Sequence, residues 1–347
     1  MPEASPKSIL VIQTAFIGDV ILATAVLEKL HRVYPDTNID LLVRKGNEGL
    51  FKNHPYLHQV LAWNKKSGKL KNLWKLTAQV RATRYEYVIN LHRYASTGIV
   101  TAFSKAKHKI GFDKNPLSFL FTHRVKHTLV SGAHETERNQ ELIKALTDNV
   151  PAMPRLYPAR SDFDVVNVYM GCRYVCMAPS SVWFTKQWPA DKWIELIQTI
   201  QHRVEKIYLL GAPTDVQMCQ AIAEKGGVAR VENLAGKLTL LQSAALIGGA
   251  VMNYVNDSAP MHLASAMNAP VAAIYCSTIP AFGFGPLSKQ SYIIQTEEDL
   301  SCRPCGSHGH KACPQKHFRC ATSISIEALQ SCLTSQADNS ISHATPT

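Results

Sequence analysis

The alternation of short apolar runs with amphipathic segments is the feature that most limits what this chain can fold into. In the first half, the runs at 8–12, 39–43 and 86–91 predict strands, and the segment 19–33 predicts a helix. Short runs without polar alternation are typical of strands that are buried on both faces. Such strands separated by helices predict a parallel sheet covered by helices on both sides.

A proline-rich break at 150–160, "VPAMPRLYPAR", interrupts this alternation and predicts a linker between domains. The alternation then restarts, with predicted strands at 174–178, 206–211, 250–256 and 271–276 and predicted helices at 190–200, 214–225, 239–248 and 259–267. A chain of 347 residues suits two domains. We therefore predict an α/β protein with two Rossmann-like domains, 1–157 and 158–325, and a C-terminal helix with a frayed polar tail at 326–347. Ligands are expected at the carboxyl ends of the strands, in a cleft between the domains.

The net charge of +11 is confined to the first half of the chain. Residues 1–160 hold 24 Lys and Arg against 12 Asp and Glu, and the segment 44–126 holds 17 against three. This imbalance indicates an anionic partner for the first domain, and a solvated basic surface is the alternative. A nucleic-acid partner is not expected, since no recognition motif accompanies the basic residues.

The segment 8–27 is nearly uncharged and raises the question of a membrane span. It is interrupted by polar residues, and an Asp at mid-membrane costs roughly 2.5–3.5 kcal/mol on insertion scales. The N-terminus also lacks a basic segment followed by a cleavage site. These features favour a cytoplasmic protein.

The one charged residue of that segment, Asp19, follows Gly18 at the first strand-to-helix junction. Asp19 either caps the helix, which is worth about 1 kcal/mol, or faces the cleft as a general base. A helix N-terminus stabilises a carboxylate anion and lowers its basicity, so a base at this position requires partial desolvation.

The junction "VNDSAPMHLASA" at 255–266 predicts a phosphate site. Pro260 suits the first turn of a helix, and the free amides of Ser258, Ala259 and Met261 would point to a ligand at the helix N-terminus. Asn256, Asp257 and Ser258 offer oxygens that could cap the helix, and His262 either donates to the phosphate or packs inside the protein.

Two more junctions carry polar residues after a predicted strand. Ser180 and Ser181 precede Lys186. Hydroxyl groups and a lysine are suited to bind a diphosphate leaving group, whose negative charge increases as its bond breaks. Lys186 as a solvated loop residue is the alternative. Gly211 and Asp215 follow another strand, where an acid can hold ribose hydroxyls. No dinucleotide or P-loop fingerprint is present.

These junctions, in this order, resemble the ADP-heptose:lipopolysaccharide heptosyltransferases, which are GT-B fold enzymes of glycosyltransferase family 9. The segments that carry the resemblance are "GDVILATAVLEKLHRVYPDTNIDLLV", "KQWPADKW", "LLGAPTD", "NLAGKLTLLQSAALIGGA" and "NDSAPMHLASAMNAPVAAIY". The resemblance implies an inverting, metal-independent transferase without cofactor. It would move heptose from an ADP-sugar to the anionic inner core of lipopolysaccharide, at the inner face of the inner membrane.

The resemblance also implies roles for individual residues. Asp19 matches the base that activates the acceptor hydroxyl. The donor positions are Ser180, Ser181, Lys186, Gly211, Asp215, Asp257, Ser258, Ala259 and His262, and Lys186 is also assigned to catalysis. Acceptor contacts are assigned to Gly18, His92 and Arg93 in the first domain. The family usually has Gly where this chain has Ala259, so another nucleotide sugar or glycan acceptor is the alternative, with a GT-B-like nucleotide-sugar epimerase as a further one.

A cysteine-rich segment, "CRPCGSHGHKACPQKHFRC", precedes the last predicted helix. Its C-x2-C pair, Cys302 and Cys305, with Cys313 and Cys320, has spacing compatible with zinc. The resemblance favours a structural loop instead, so we expect no metal.

Overall fold

Each half of the chain folds around a six-stranded parallel sheet. The structure, a computed structural model, describes residues 5–128, 132–227 and 229–341, with the backbone alone over 334–341. It divides into two compact units, Met1–Tyr157 and Pro158–Thr347.

The first unit contains a sheet of six strands in the order β3-β2-β1-β4-β5-β6, and every neighbouring pair is parallel. The strands are β1 (Ser8–Ile12), β2 (Asn38–Arg44), β3 (Leu57–Trp63), β4 (Tyr87–Asn90), β5 (His108–Phe112) and β6 (His123–Val125). The helices are α1 (Ile17–Val33), α2 (Lys69–Thr83), α3 (Ala95–Phe103) and α4 (Glu135–Glu141), with short 3-10 turns at Glu48–Phe51 and Ser118–Leu120.

The second unit repeats the same strand order as β12-β11-β10-β7-β8-β9, again all parallel. Its strands are β7 (Tyr174–Ala178), β8 (Lys206–Leu209), β9 (Val231–Asn233), β10 (Met252–Asn256), β11 (Val271–Tyr275) and β12 (Ser291–Gln295). Its helices are α5 (Arg160–Met170), α6 (Ala190–Ile200), α7 (Val216–Gly226), α8 (Leu240–Gly249), α9 (Ala259–Ala266), α10 (Arg319–Thr322) and α11 (Ile326–Ile341). Turns of 3-10 helix lie at Phe184–Lys186, Pro213–Asp215 and Pro280–Phe282.

This strand order places the first strand of each unit in the middle of its sheet. It is the Rossmann order, in which the chain reverses direction across the sheet between the first and fourth strands. In the first unit that switch point lies between β1 and β4, and in the second between β7 and β10. The α/β architecture predicted from the sequence is confirmed.

The uncharged segment 8–27 is explained by burial on all sides. The last four residues of β1 and every residue from Val20 to Leu27 in α1 are buried. Helix α1 contacts β2 and α4. Among the described residues, no helix has the length and apolar content that crossing a bilayer requires.

The structure differs from the sequence prediction at both ends of the chain. Helix α1 begins at Ile17, so Asp19 is the third residue of the helix and Phe16 is the N-cap. At the other end α11 runs to Ile341, although the polar tail was predicted to fray there. Once a helix is nucleated, each added residue gains a hydrogen bond, which allows a polar segment to extend it. Residues 342–347 lie outside the described residues.

The core of the second unit depends on large side chains of α6, the helix that packs on α7 and α11. Trp193 is fully buried, and its indole N–H donates to the carbonyl of Trp188 at 3.1 Å. The two rings meet edge to face at 5.3 Å. Their contact joins the loop that carries Lys186 to the core.

We expect Trp193→Ala to lower the free energy of unfolding by about 3–5 kcal/mol, because it removes a large buried ring and leaves a cavity. The control Val168→Ala alters a side chain that is 77% exposed and is expected to change stability by about 0.5 kcal/mol or less. Urea denaturation followed by circular dichroism measures both. Equal midpoints for the two variants would contradict the assignment of Trp193 to the core.

Candidate active site

Asp19 lies at the carboxyl edge of the first sheet, in the first turn of the helix that follows β1. The backbone N–H groups of Asp19 itself and of Phe16 are near its carboxylate and favour the ionised form. The side chain remains partly exposed, so a substrate hydroxyl can reach it.

The surroundings of Asp19 favour its protonated form. Desolvation by the surrounding protein, followed by repulsion from Glu135 of α4, raises the pKa of Asp19 to about 6. The two backbone N–H groups and the positive charge of Arg93 lower this pKa but do not outweigh the desolvation. The basicity that a helix N-terminus removes is thus restored by burial and by a second carboxylate.

Glu135 is held in place at the start of α4. It is buried, and its carboxylate pairs with Arg138 of the same helix at 2.8 Å. This pair keeps a negative charge fixed near Asp19, as α1 packs against α4. Glu135 was not singled out from the sequence, because no local motif links it to a residue more than a hundred positions earlier.

A basic cavity of about 550 Å³ lies at the same edge of the first sheet. It is lined by Arg93, Tyr94, Lys114 and His127, which follow β4, β5 and β6. Arg93 and Lys114 are exposed cations, and desolvation, together with nearby arginines, lowers the pKa of His127 to about 4, so its ring is neutral near pH 7. The sequence prediction included Arg93 alone of these four.

The loop that carries Arg93 is held by Asn115, whose amide donates to the carbonyls of His92 and Tyr94 at 3.2 and 3.1 Å. His92 points instead toward Thr14 after β1, with its Nδ1 3.3 Å from the hydroxyl. Burial lowers the pKa of His92 to about 4, so its ring is neutral and serves as a hydrogen-bonding group. Lys65 donates to the same hydroxyl at 3.0 Å, and desolvation lowers the pKa of this lysine to about 8.

In the second unit, Lys186 pairs with Asp257. The ammonium lies 2.6 Å from the Oδ2 of Asp257, and both side chains are largely buried. Thr278, just after β11, donates its hydroxyl to the same oxygen at 2.6 Å. Lys186 is therefore not a solvated loop residue. Thr278 was not predicted from the sequence, although its place shortly after an apolar strand is a signal that could have found it.

The N-terminus of α9 follows Asp257. The N-cap is Ser258, and its side chain makes no capping bond to the helix. The N–H of Met261 donates to the carbonyl of Ser258, because the first turn is tight, so its predicted availability to a ligand was wrong. The backbone N–H groups of Ser258 and Ala259 have no acceptor within the described part of the chain. His262 is buried in this helix.

Asp215 joins the loops that follow β7 and β8 by hydrogen bonds. Its Oδ2 accepts from the hydroxyl of Ser180 and from the N–H of Ala212, both at 2.8 Å. A Cβ on Gly211 would lie 2.9 Å from the Cβ of Asp215, so this glycine permits close packing against the acid. Ser181 lies beside this network with a partly exposed side chain.

Asn256, the last residue of β10, is fully buried and joins the loops that follow β7 and β10. Its Oδ1 accepts from the N–H of Trp188 at 3.0 Å, and its amide donates to the carbonyl of Pro179 at 2.8 Å. The sequence suggested a helix cap for Asn256, but the structure uses it to fix the loop that contains Ser180 and Lys186.

The cysteine-rich segment packs against the Lys186 turn. The N–H of His310 donates to the hydroxyl of Thr185 at 2.7 Å, and Arg303 donates to the carbonyls of Cys276 and Thr278 at 2.8 and 2.9 Å. Arg303 thereby holds the loop that presents Thr278.

The cysteines of this segment are free thiols. They are Cys302, Cys305, Cys313 and Cys320. Burial, with the neighbouring thiols, raises the pKa of Cys320 to about 11. Across the described residues, no three His, Cys, Asp or Glu side chains are grouped so as to hold a metal ion.

Comparison with known proteins identifies the family of this chain. Residues 73–316, more than half of the chain, match the model of glycosyltransferase family 9 (heptosyltransferase). Lipopolysaccharide heptosyltransferase 3 of Escherichia coli (strain K12) is 28% identical over 289 residues, which cover 76% of this chain and 81% of that protein.

Two solved structures share the fold. The glycosyl transferase family 9 protein of Veillonella parvula DSM 2008 has a TM-score of 0.82 at 19% identity, covering 97% of this chain and 99% of that one. The ADP-heptose lps heptosyltransferase II of E. coli has a TM-score of 0.76 at 21% identity, covering 95% and 99%.

The family match, together with two Rossmann-type units of this likeness, makes the protein a glycosyltransferase of the GT-B fold. The chain belongs to glycosyltransferase family 9, the heptosyltransferase family. The fold class, the family and the enzyme class predicted from the sequence are confirmed.

We expect Asp19→Asn to stabilise the protein at pH 7.5 by about 1–3 kcal/mol. The folded pKa of about 6 lies above the usual unfolded value of about 3.9. Ionisation of Asp19 therefore lowers the free energy of unfolding progressively between about pH 4 and pH 6, and by a constant amount above about pH 6. The neutral amide that replaces the carboxylate does not lower stability in this way. The gain in the free energy of unfolding should therefore approach zero at about pH 4.

Urea denaturation at the two pH values measures this difference, with Asp36→Asn, an exposed acid of the same unit, as the control. A gain that is the same at pH 4 and pH 7.5 would show that the carboxylate of Asp19 is not desolvated.

Proposed function

We propose that this enzyme transfers heptose from ADP-heptose to the inner core of lipopolysaccharide, with inversion at the anomeric carbon and without a metal ion or other cofactor. The observation that carries the proposal is a partly exposed carboxylate at the edge of the first sheet, with its pKa raised to about 6. It is supported by the family and by the names of the related proteins, which are lipopolysaccharide and ADP-heptose heptosyltransferases.

In this mechanism Asp19 is the general base. Near neutral pH a carboxyl group with a pKa of about 6 is mostly ionised and is still basic enough to accept a proton from a hydroxyl that is attacking. It takes the proton of the acceptor hydroxyl as the oxygen forms a bond to the anomeric carbon. The bond from that carbon to the diphosphate breaks at the same time on the opposite face, which inverts the configuration.

The second unit binds the donor. Lys186, oriented by Asp257, and the backbone N–H groups of Ser258 and Ala259 stabilise the negative charge that develops on the departing diphosphate. His262 stands in the same helix. The hydroxyls of Ser180 and Ser181 are further contacts, and Asp215 beside Gly211 is oriented to hold the ribose.

The first unit binds the acceptor. Gly18 allows close approach to Asp19, and His92 and Arg93 contact the acceptor sugar. The cavity lined by Arg93 and Lys114 takes a phosphate or carboxylate group, since two cations without a carboxylate partner within 4 Å in the described structure attract an anion.

We place the enzyme in the cytoplasm, in peripheral contact with the inner face of the inner membrane, where the lipid part of the acceptor is embedded. A glycosyltransferase with another nucleotide sugar or glycan acceptor is the alternative, and a donor screen separates the two. The epimerase alternative is not favoured, because the family match is to transferases. A nucleic-acid partner is not proposed.

Asp19→Asn is expected to reduce heptose transfer by at least about a hundredfold and to leave ADP-sugar affinity nearly unchanged, because every proposed donor contact belongs to the second unit. In the wild type, kcat/KM should fall tenfold per pH unit below about pH 6, where the base becomes protonated. Glu135→Gln should move this acid limb to lower pH, because a repelling charge is removed. Full transfer by Asp19→Asn would exclude Asp19 as the base.

Lys186→Ala is expected to weaken ADP-sugar affinity by about 10- to 100-fold, the range for a lost hydrogen bond to a charged group. Lys186→Ala also leaves Asp257 without its cation. In an Asp257→Asn background, Lys186→Ala should therefore reduce the affinity by a smaller factor. Calorimetry with ADP measures both, and Lys225→Ala, an exposed lysine of the same unit, is the control. Unchanged affinity in Lys186→Ala would remove Lys186 from the diphosphate site.

A further inference from the structure

Helix α2 exposes an apolar stripe that the proposed reaction does not use. Leu70 and Trp74 are four residues apart and so share one face of the helix, and they are 70% and 57% exposed. The buried face of the same helix is made by Leu73, Leu76 and Val80, so the core does not need the outer stripe. Large apolar side chains exposed side by side indicate an interaction surface.

A third apolar side chain extends the stripe onto the next helix. Phe103, the last residue of α3, is 45% exposed, and its ring centre lies 6.2 Å from that of Trp74. Arg81 donates to the carbonyl of Phe103 at 3.0 Å and fixes the end of α3 against α2. We name Leu70, Trp74 and Phe103 the α2 patch.

Exposed lysines accompany the α2 patch along the chain. They are Lys66, Lys69, Lys71, Lys75, Lys105 and Lys107. No acidic residue occurs between Asn64 and Tyr85. In the described part of the chain, none of the six lies within 4 Å of a carboxylate. Their charge is therefore available to a partner that is itself anionic.

We infer that the α2 patch and its lysines dock the first unit on the surface of an anionic phospholipid bilayer. A helix with Trp and Leu on one stripe and lysines beside it is typical of a segment that lies in the membrane interface. The indole ring suits the depth of the headgroups, and lysines near the surface attract anionic lipids. A nucleic acid is less suited to this surface, because no nucleic-acid recognition motif accompanies the lysines.

The position of the α2 patch relates it to the acceptor cavity. Helix α3 starts directly after Tyr94, which lines the cavity, and ends at Phe103. Its nine residues span about 13 Å. If the proposed function holds, a sugar chain attached to a lipid in the same bilayer would be presented near that cavity.

Sedimentation with vesicles tests the surface. The full chain should pellet with vesicles of phosphatidylglycerol and phosphatidylcholine, should not pellet with phosphatidylcholine alone, and should be released by 0.5 M salt. Leu70→Ser with Trp74→Ser, and separately Lys71→Glu with Lys75→Glu, should each lower the partition coefficient at least tenfold.

The matched controls change the same kinds of residue in the second unit. Val168→Ser replaces an exposed apolar residue, and Lys225→Glu with Lys289→Glu makes the same change of net charge. Both should pellet like the wild type. If the control charge variant loses binding as fully as Lys71→Glu with Lys75→Glu, net charge rather than this surface governs binding and the inference is wrong.

Trp74 also supplies a spectroscopic test, since Trp63, Trp188 and Trp193 are buried and the partly exposed Trp183 belongs to the second unit. Vesicles should shift the tryptophan emission of the wild type to shorter wavelength. Trp74→Phe should still pellet but should lose this shift, and an undiminished shift would contradict the inference. Binding of single-stranded RNA that is sensitive to the Lys71→Glu with Lys75→Glu pair, without vesicle binding, would assign the surface to nucleic acid instead.

The outcome is separable from that of the proposed function. Transfer to a delipidated, soluble acceptor should be unchanged in the α2 patch variants. Vesicle binding without any transfer of heptose would refute the proposed function and leave the membrane surface intact. Transfer of heptose without vesicle binding would refute the membrane surface and leave the proposed function intact.

Discussion

Burial of the central strands on both faces is the constraint on which the rest of the protein depends. In the first unit β1 lies between β2 and β4, and in the second β10 lies between β7 and β11, with their apolar side chains almost wholly removed from water. These strands are parallel and joined by helices that cover both faces, so the strand-to-helix junctions of each sheet meet at one edge. Asp19 and Arg93 are neighbours for this reason, as are Lys186 and Asp257.

The charged side chains at these two edges have different surroundings. Lys186 and Asp257 form a pair 2.6 Å apart that is largely buried and keeps the lysine oriented. Asp19 has no such partner among the described residues, and burial together with Glu135 raises its pKa to about 6. The first arrangement holds a cation at the place where we propose that the diphosphate binds, and the second keeps a carboxylate basic at some cost in stability. Such pKa perturbation at a strand end is typical of functional sites.

Polar side chains that bind loop backbone fix the geometry around both edges. Asn256 joins the loops after β7 and β10, Asn115 holds the loop that carries Arg93, and Arg303 holds the loop that presents Thr278. Each satisfies backbone groups that would otherwise be costly to bury. The cysteine-rich segment belongs to this framework, because it packs on the turn that contains Lys186.

The sequence by itself determined the α/β class, the break near residue 157, the family and the junctions that carry Asp19, Lys186 and Asp257. These follow from local periodicity and from residues close together in the chain. Only the tertiary structure decided that Glu135 repels Asp19, that Thr278 shares the oxygen that Lys186 contacts, and that Asn256 ties loops rather than capping a helix. These pairs are distant in sequence and become neighbours only when the parallel sheets bring their strand ends together, so no local pattern could reveal them.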